Sequence, residues 1–329
     1  MSHRKDLATG TIYALAAGLM WGLVFIAPLL LPAYPAALLS FARYLAFGLI
    51  ALPLAWFDRR RLAELQRADW LEALKLGAIG NLLYYLFLAA AIQRAGGPLP
   101  AMVIGMLPVV IALVSNRRDS QRDGWLPWRR LLPSLALMVA GIAFVNHVEL
   151  QQLRAERGAD VGRYAVGALL ALGALACWTW YPIRNADWLR AHADRSPSTW
   201  ATAQGLATLP LAALGFGGFW LWNAAFRDSS FAMPLGPSPG LFLGLMFALG
   251  FFASWLGTLC WNEASQRLPT TLAGQLIVFE TLAALAYALM LRGRAPELLS
   301  LIGVGLLVAG VVWALGARPA VVAPTGLDR

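Results

Sequence analysis

The sequence predicts an all-α integral membrane protein of ten transmembrane helices, built as two inverted five-helix repeats with both termini cytoplasmic. Three observations carry this. Of the 329 residues, 59% are hydrophobic and 13% are charged, against roughly 45–50% and about 25% in a soluble domain. The apolar residues fall into runs of about 20, the length a helix rising about 1.5 Å per residue needs to cross a hydrocarbon core of about 30 Å. Finally, Lys and Arg are distributed unevenly between alternate loops, as expected of a chain oriented in a bilayer.

The expected spans are 11–31, 34–57, 70–92, 97–115, 131–147, 164–183, 198–222, 239–262, 270–291 and 298–317. The first follows Arg4 and Lys5, as the apolar core of a signal peptide would, but it is too long and lacks a convincing cleavage site. Span two carries Arg43 in its interior, and span three carries Lys75 close enough to one end to snorkel to the interface. Span four is punctuated by Gly97-Pro98-Leu99-Pro100 and then by Gly105 and Pro108. A proline removes a backbone donor, so a span broken there exposes carbonyls or acts as a hinge, with Gly105 and Pro108 the hinge candidates. Spans six and eight hold Cys177 and Cys260, which read as free thiols behaving as small hydrophobes. Span nine contains Glu280, the one acidic residue deep inside a span. Trp56, Trp70, Trp200, Trp220 and Trp222 lie near span ends and read as interfacial anchors.

Orientation follows from charge. The N-terminus, the segments 58–69, 116–130, 184–197 and 263–269, and the C-terminal tail carry 17 of the 26 Lys and Arg residues, the opposite side carries seven, and Arg43 and Lys75 sit within spans. The richer side is cytoplasmic. An even number of spans places both termini there. The net charge of +9 is thereby accounted for by topology and implies no nucleic-acid partner. His3, His147 and His192 show no ligand spacing, so no metal site is expected, and no cofactor.

The two halves, 11–147 and 164–317, can be laid over one another. Leu-Met-Val-Ala-Gly-Ile-Ala-Phe (137–144) matches Leu-Leu-Val-Ala-Gly-Val-Val-Trp (306–313), and Ala91-Ile92-Gln93-Arg94 matches Ala264-Ser265-Gln266-Arg267. Trp21 falls opposite Trp178, and Ala42-Arg43-Tyr44-Leu45-Ala46 opposite Ala203-Gln204-Gly205-Leu206-Ala207. The expected division is a tail 1–10, repeats 11–150 and 151–317, and a tail 318–329. With five helices each, the second repeat starts on the opposite side of the membrane from the first. Such inverted repeats recur in secondary transporters, whose halves exchange conformations around a central site.

The stretches Ala-Gly-Leu-Met-Trp21-Gly-Leu-Val-Phe, Leu-Ser-Phe-Ala-Arg43-Tyr-Leu-Ala, Met-Leu-Pro108-Val-Val-Ile-Ala-Leu and Val-Phe-Glu280-Thr-Leu-Ala-Ala-Leu resemble the drug/metabolite transporter superfamily, specifically its EamA-type ten-helix members. The resemblance covers about 11–317. It implies export of amino acids, metabolites or drugs without ATP, in keeping with the lack of a Gly-x-x-x-x-Gly-Lys motif. Two features depart from the family pattern: Thr281 stands where span nine usually has proline, and Arg117, Arg118 and Asp119 stand where an acidic residue commonly follows span four.

A charge at mid-membrane costs on the order of 2.5–3.5 kcal/mol on insertion scales, so Glu280 must face a wet cavity, a partner or a proton. It reads as a proton-coupling carboxylate or a counter-ion for a cationic substrate; the bland alternative is a packing role. Arg43 binds a substrate carboxylate or acts structurally. Trp21, Asn81, Tyr84, Tyr85, Trp178, Trp180, Tyr181, Trp255, Trp261, Asn262 and Gln275 form the aromatic and amide tier. Of these, Trp21, Trp178, Tyr85, Asn81, Tyr181, Gln275 and Asn262 join Glu280 as substrate-binding candidates, in a cavity lined by spans one, three, four, six, eight and nine. Aromatic walls suit flat or cationic molecules, whereas lone amides such as Asn81, Gln204 and Gln275 also serve as interhelical hydrogen-bond glue.

The expected function is a secondary transporter that exports a small metabolite by alternating access, as monomer or homodimer in the bacterial inner membrane, with protons as a candidate coupling ion. An integral membrane enzyme acting on lipids, or a non-transporting scaffold, are the alternatives. The first lacks paired acids or a metal cluster, and the second is opposed by the shortness of the loops.

Overall fold

Every regular element in the computed structural model is helical, across the residues it describes: 2–118, 128–157, 161–226, 231–293 and 297–315. The expected tail 318–329 and most of the expected loop 116–130, with Asp119, lie outside these residues. Among the described residues, seven helices are long and apolar enough to cross a membrane: α1 (Asp6–Leu30), α2 (Ala36–Phe57), α3 (Arg67–Ala95), α6 (Gly162–Ala191), α7 (Pro197–Phe226), α8 (Pro239–Arg267) and α9 (Leu272–Leu291). Shorter apolar stretches, Leu99–Ile111, Leu132–Phe144 and Leu298–Gly310, mark α4, α5 and α10. Large apolar side chains such as Leu214, Leu221, Phe226, Leu169 and Val312 point outward, as they do where hydrocarbon is the solvent.

Several helices are not regular throughout. A turn of 3-10 helix, Leu23–Phe25, interrupts α1. In α4 the helix is cut at Met106, between Pro98–Gly105 and Leu107–Arg118, and α9 is cut at Ile277, between Thr270–Leu276 and Val278–Arg292. Pro108 thus lies in the first turn of the second α4 segment, where a missing N–H costs little. Both α3 and α8 contain eight residues of π-helix, Leu76–Leu83 and Leu249–Leu256. These stretches begin at residues separated by the same interval as Ala91 and Ala264. Long π stretches are rare and concentrate at functional positions.

Helix pairing places α5 against α10, α2 against α7, α3 against α6, and α1 against α8 and α9, while the second α4 segment packs on the first α9 segment. With the packing of α6 on α4 included, exchanging the first five helices for the last five maps these pairings onto one another. Where α5 meets α10 the backbones themselves are in contact. A Cβ added at Gly141 would stand 2.5 Å from the Gly303 carbonyl oxygen, and one at Gly310 would stand 2.9 Å from that of Ser134. The Ser134 hydroxyl donates to the Gly310 carbonyl at 2.8 Å. Small residues and short polar contacts are the usual means of joining helices in lipid, where apolar burial gives no net drive. A continuous apolar core is drawn from the other eight helices.

Two expectations need correction. Hydropathy ended span six near 183, but the helix continues to Ala191, and Asn185 and Trp188 in the added turns are buried. Polar and amphipathic side chains had read as loop, yet here they enter a hydrogen-bonded network. For the same reason Trp200 is no interfacial anchor: it is fully buried, whereas Trp56, Trp220 and Trp222 are exposed as expected.

Candidate functional site

Glu280 is placed in the first turn of the second α9 segment and is 0% exposed. The indole Nε1 of Trp178 donates to its Oε2 at 3.1 Å, and the Tyr84 hydroxyl donates to its Oε1 at 3.4 Å. A carboxylate has about four lone-pair positions, so these two donors leave capacity for another. The donors themselves are locked by aromatic packing. Trp178 stacks on Tyr84 at 4.5 Å and on Tyr181 at 5.1 Å, and meets Trp21 edge-on at 4.8 Å. Trp21 in turn packs on Trp261 at 5.2 Å and donates to the Ala253 carbonyl at 2.9 Å.

Arg43 is the neighbouring cation. Its guanidinium lies 4.5 Å from the centre of the Tyr85 ring and 4.8 Å from that of Tyr44, and its Nε donates to the Ser254 hydroxyl at 3.1 Å. Burial strengthens such cation–π contacts. Adjacent residues on α3 therefore serve the two charges separately, Tyr84 holding Glu280 and Tyr85 facing Arg43. Both follow directly on the π segment. Arg43 and Glu280 make no ion pair within 4.0 Å among the described residues, and the Arg43 Nη1 is buried without a hydrogen-bond partner among them. The same holds for Asn81 Nδ2, Gln275 Nε2 and the Thr281 hydroxyl. An unsatisfied buried donor costs about 1–3 kcal/mol, so several together favour a polar occupant.

A second network closes one end of the bundle. The Asn185 amide donates to Asn262 Oδ1 at 2.8 Å, while its own Oδ1 accepts from Trp200 Nε1 at 2.8 Å and Gln204 Nε2 at 3.1 Å. Gln204 also accepts from the Tyr181 hydroxyl at 2.8 Å, which links this network to the Trp178 stack. Beyond it, Trp200 stacks on Trp188 at 3.5 Å, and Trp188 Nε1 donates to Asp69 at 2.8 Å. Ion pairs Glu64–Arg195, Glu72–Arg184 and Asp187–Arg118 surround it, and the Thr199 hydroxyl bonds Asp58. At the opposite end, the Tyr34 hydroxyl donates to the Leu235 carbonyl and accepts from the Ser238 amide, both at 2.8 Å, and Tyr34 stacks on Phe242 at 4.9 Å.

The structure thus brings Glu280, Trp178, Trp21, Tyr181, Tyr85 and Arg43 into one buried cluster. Its aromatic members pack against one another, stacked or edge-on, instead of walling an open cavity. Asn81 and Gln275 are buried as expected, but Asn262 belongs to the end network. Gly105 adjoins the break in α4, where a Cβ would lie 3.2 Å from Ile142. Sequence reasoning missed Tyr44 and Ser254, which touch Arg43, and also Asn185, Trp188 and Asp69. The mid-span hydroxyl of Ser254 is a signal; Asn185, Trp188 and Asp69 fall in expected loops. Among the described residues no group of His, Cys, Asp or Glu is arranged to hold a metal ion.

Comparison with known proteins places these features. Residues 8–147 match the EamA-like transporter family. The chain is 51% identical over 315 residues to inner membrane protein YtfF of Escherichia coli K12, covering 95% of this chain and 97% of that one. It is 27% identical over 285 residues to the threonine/homoserine exporter RhtA of the same strain, covering 80% and 77%. A solved crystal structure, 21% identical, superposes with a TM-score of 0.66 over 94% of this chain and 98% of that one, a likeness of fold. The chain belongs to the EamA-like transporter family of the drug/metabolite transporter superfamily and is a multi-pass protein of the inner membrane.

Proposed function

We propose that this protein is a secondary transporter that exports an amino acid, or a similar small molecule bearing an ammonium and a carboxylate, by alternating access. The observation that carries the reading is the buried carboxylate of Glu280, held by only two donors, beside the buried guanidinium of Arg43, whose Nη1 has no hydrogen-bond partner among the described residues, at a position where both halves of the chain contribute helices. A zwitterion supplies one partner to each charge, and it engages Glu280 when the Trp178 and Tyr84 contacts open. The name of the relative RhtA, a threonine/homoserine exporter, agrees with this class of substrate.

The proposal includes ten spans in two inverted five-helix repeats, 11–150 and 151–317, with both termini cytoplasmic. In its favour are the exchangeable helix pairings, the equivalent π segments of α3 and α8, and the breaks in both α4 and α9. On this topology the Asp69–Trp188–Trp200 network seals the cytoplasmic end and the Tyr34 contacts seal the outer end, so the described conformation is occluded. Opening one seal at a time gives alternating access. Glu280 binds the substrate ammonium or exchanges it for a proton, and Gly105 and Pro108 flank the hinge in α4.

Transport of a radiolabelled amino-acid panel in proteoliposomes tests this. Glu280→Gln removes the charge at nearly constant shape; it should abolish substrate-driven flux, or leave flux insensitive to pH, with the melting temperature close to that of the unsubstituted protein. Unchanged, pH-dependent flux in a folded Glu280→Gln protein refutes the assignment.

A further inference from the structure

Away from the Glu280 cluster, an open groove of about 560 Å³ runs between α4 and α6. One wall is the stripe Val110, Val114 and Arg118, successive turns on one face of α4. The other is Leu172, Ala176, Thr179 and Ile183, likewise one face of α6, with Arg184 beside its end. From 172 to 184 the α6 wall extends about 18 Å, close to the roughly 15 Å of hydrocarbon in one leaflet. The groove is apolar for most of its length and cationic at one end. Trp180 lines it near that end, a residue type enriched at the interface.

We infer that this groove binds one anionic phospholipid, its acyl chain along Val110, Val114, Leu172 and Ala176 and its phosphate at Arg118 and Arg184. Charge complementarity selects the occupant. Arg118 and Arg184 line the mouth, and among the described residues these two with Lys75 and Arg117 outnumber Glu72 and Asp187, the carboxylates that pair with Lys75, Arg118 and Arg184, so the described part of the mouth carries more positive than negative charge. A guanidinium has five N–H donors, and Arg184 uses its Nε and Nη2 on Glu72 at 2.9 and 2.8 Å, which leaves geometry for a phosphate oxygen. Thr179 lines the same groove, and its hydroxyl is buried with no partner among the described residues. Basic pockets between transmembrane helices on the cytoplasmic side commonly take such headgroups.

The test is native mass spectrometry and thermal melting of the full chain in micelles supplemented with phosphatidylglycerol or phosphatidylcholine. The unsubstituted protein should retain phosphatidylglycerol preferentially and melt higher with it. Arg184→Gln should weaken that retention about fivefold, the contribution of one basic residue near a charged surface. Ala176→Phe, which fills the groove and leaves every ion pair in place, should remove the bound lipid; the control Arg59→Gln should change nothing. Retention of phosphatidylglycerol unaltered by both Ala176→Phe and Arg184→Gln overturns the inference. So does an equal stabilisation by inorganic phosphate, which marks an anion site without a lipid. A change of oligomeric mass in Ala176→Phe with unchanged lipid content also overturns it, and marks an interface between copies of the chain.

Discussion

At the scale of single residues the arrangement turns on how few donors serve Glu280. Trp178→Phe keeps the ring stack with Tyr84 and Tyr181 but removes the shorter of its two hydrogen bonds. The expected loss is about 1–3 kcal/mol of stability, read as a lower melting temperature, and the loss should vanish in a Glu280→Leu background, where no carboxylate needs a donor. A double-mutant cycle on these two positions measures it. Arg43→Lys keeps the charge but not the planar group that lies over Tyr85 and reaches Ser254. Transport should fall while the fold persists; full activity in Arg43→Lys shows that charge alone suffices there. Glu280 and Arg43 were legible in the sequence because a lone charge within an apolar run is conspicuous. Ser254 is marked only by a mid-span hydroxyl, and its contact with Arg43 arises only when α2 and α8 meet; Tyr44, next to Arg43 in the chain, carries no charge to single it out.

At the scale of helices, the close backbone approach of α5 and α10 gives a sharp expectation. Gly141→Leu must displace the Gly303 carbonyl or Leu307, so it should destabilise by about 1–3 kcal/mol or more. Gly244→Leu on α8, where an added Cβ meets nothing within 4 Å, should stay within about 0.5 kcal/mol of the parent. Comparable melting temperatures for the two variants contradict the described α5–α10 contact. Helices themselves were readily anticipated, because long apolar runs admit little else in lipid. Their ends were harder to place. The last turns of α6 carry Asn185 and Trp188, which hydropathy assigns to water, whereas their burial depends on Asn262, Trp200 and Asp69 arriving from elsewhere in the chain. The π segments left no mark in composition at all: Leu76–Leu83 and Leu249–Leu256 are ordinary apolar sequence.

For the molecule as a whole, the two natural cysteines report on opening. Cys177, next to Trp178, is buried, so a small membrane-permeant maleimide should label it slowly in a Cys260→Ser background. Adding Glu64→Gln and Asp69→Ala removes an ion pair and the acceptor for Trp188, and should accelerate labelling several-fold by unsealing that end. An unchanged labelling rate excludes these contacts as the closing element. The π segments bear on the same transition. In a π turn each amide reaches one residue further back than in an α turn, so the surplus residue can migrate along the helix by exchanging one carbonyl for the next. Such a dislocation lets Tyr84 and Tyr85 swivel together about the axis of α3 while the rest of that rod stays hydrogen-bonded, a twist transmitted without melting.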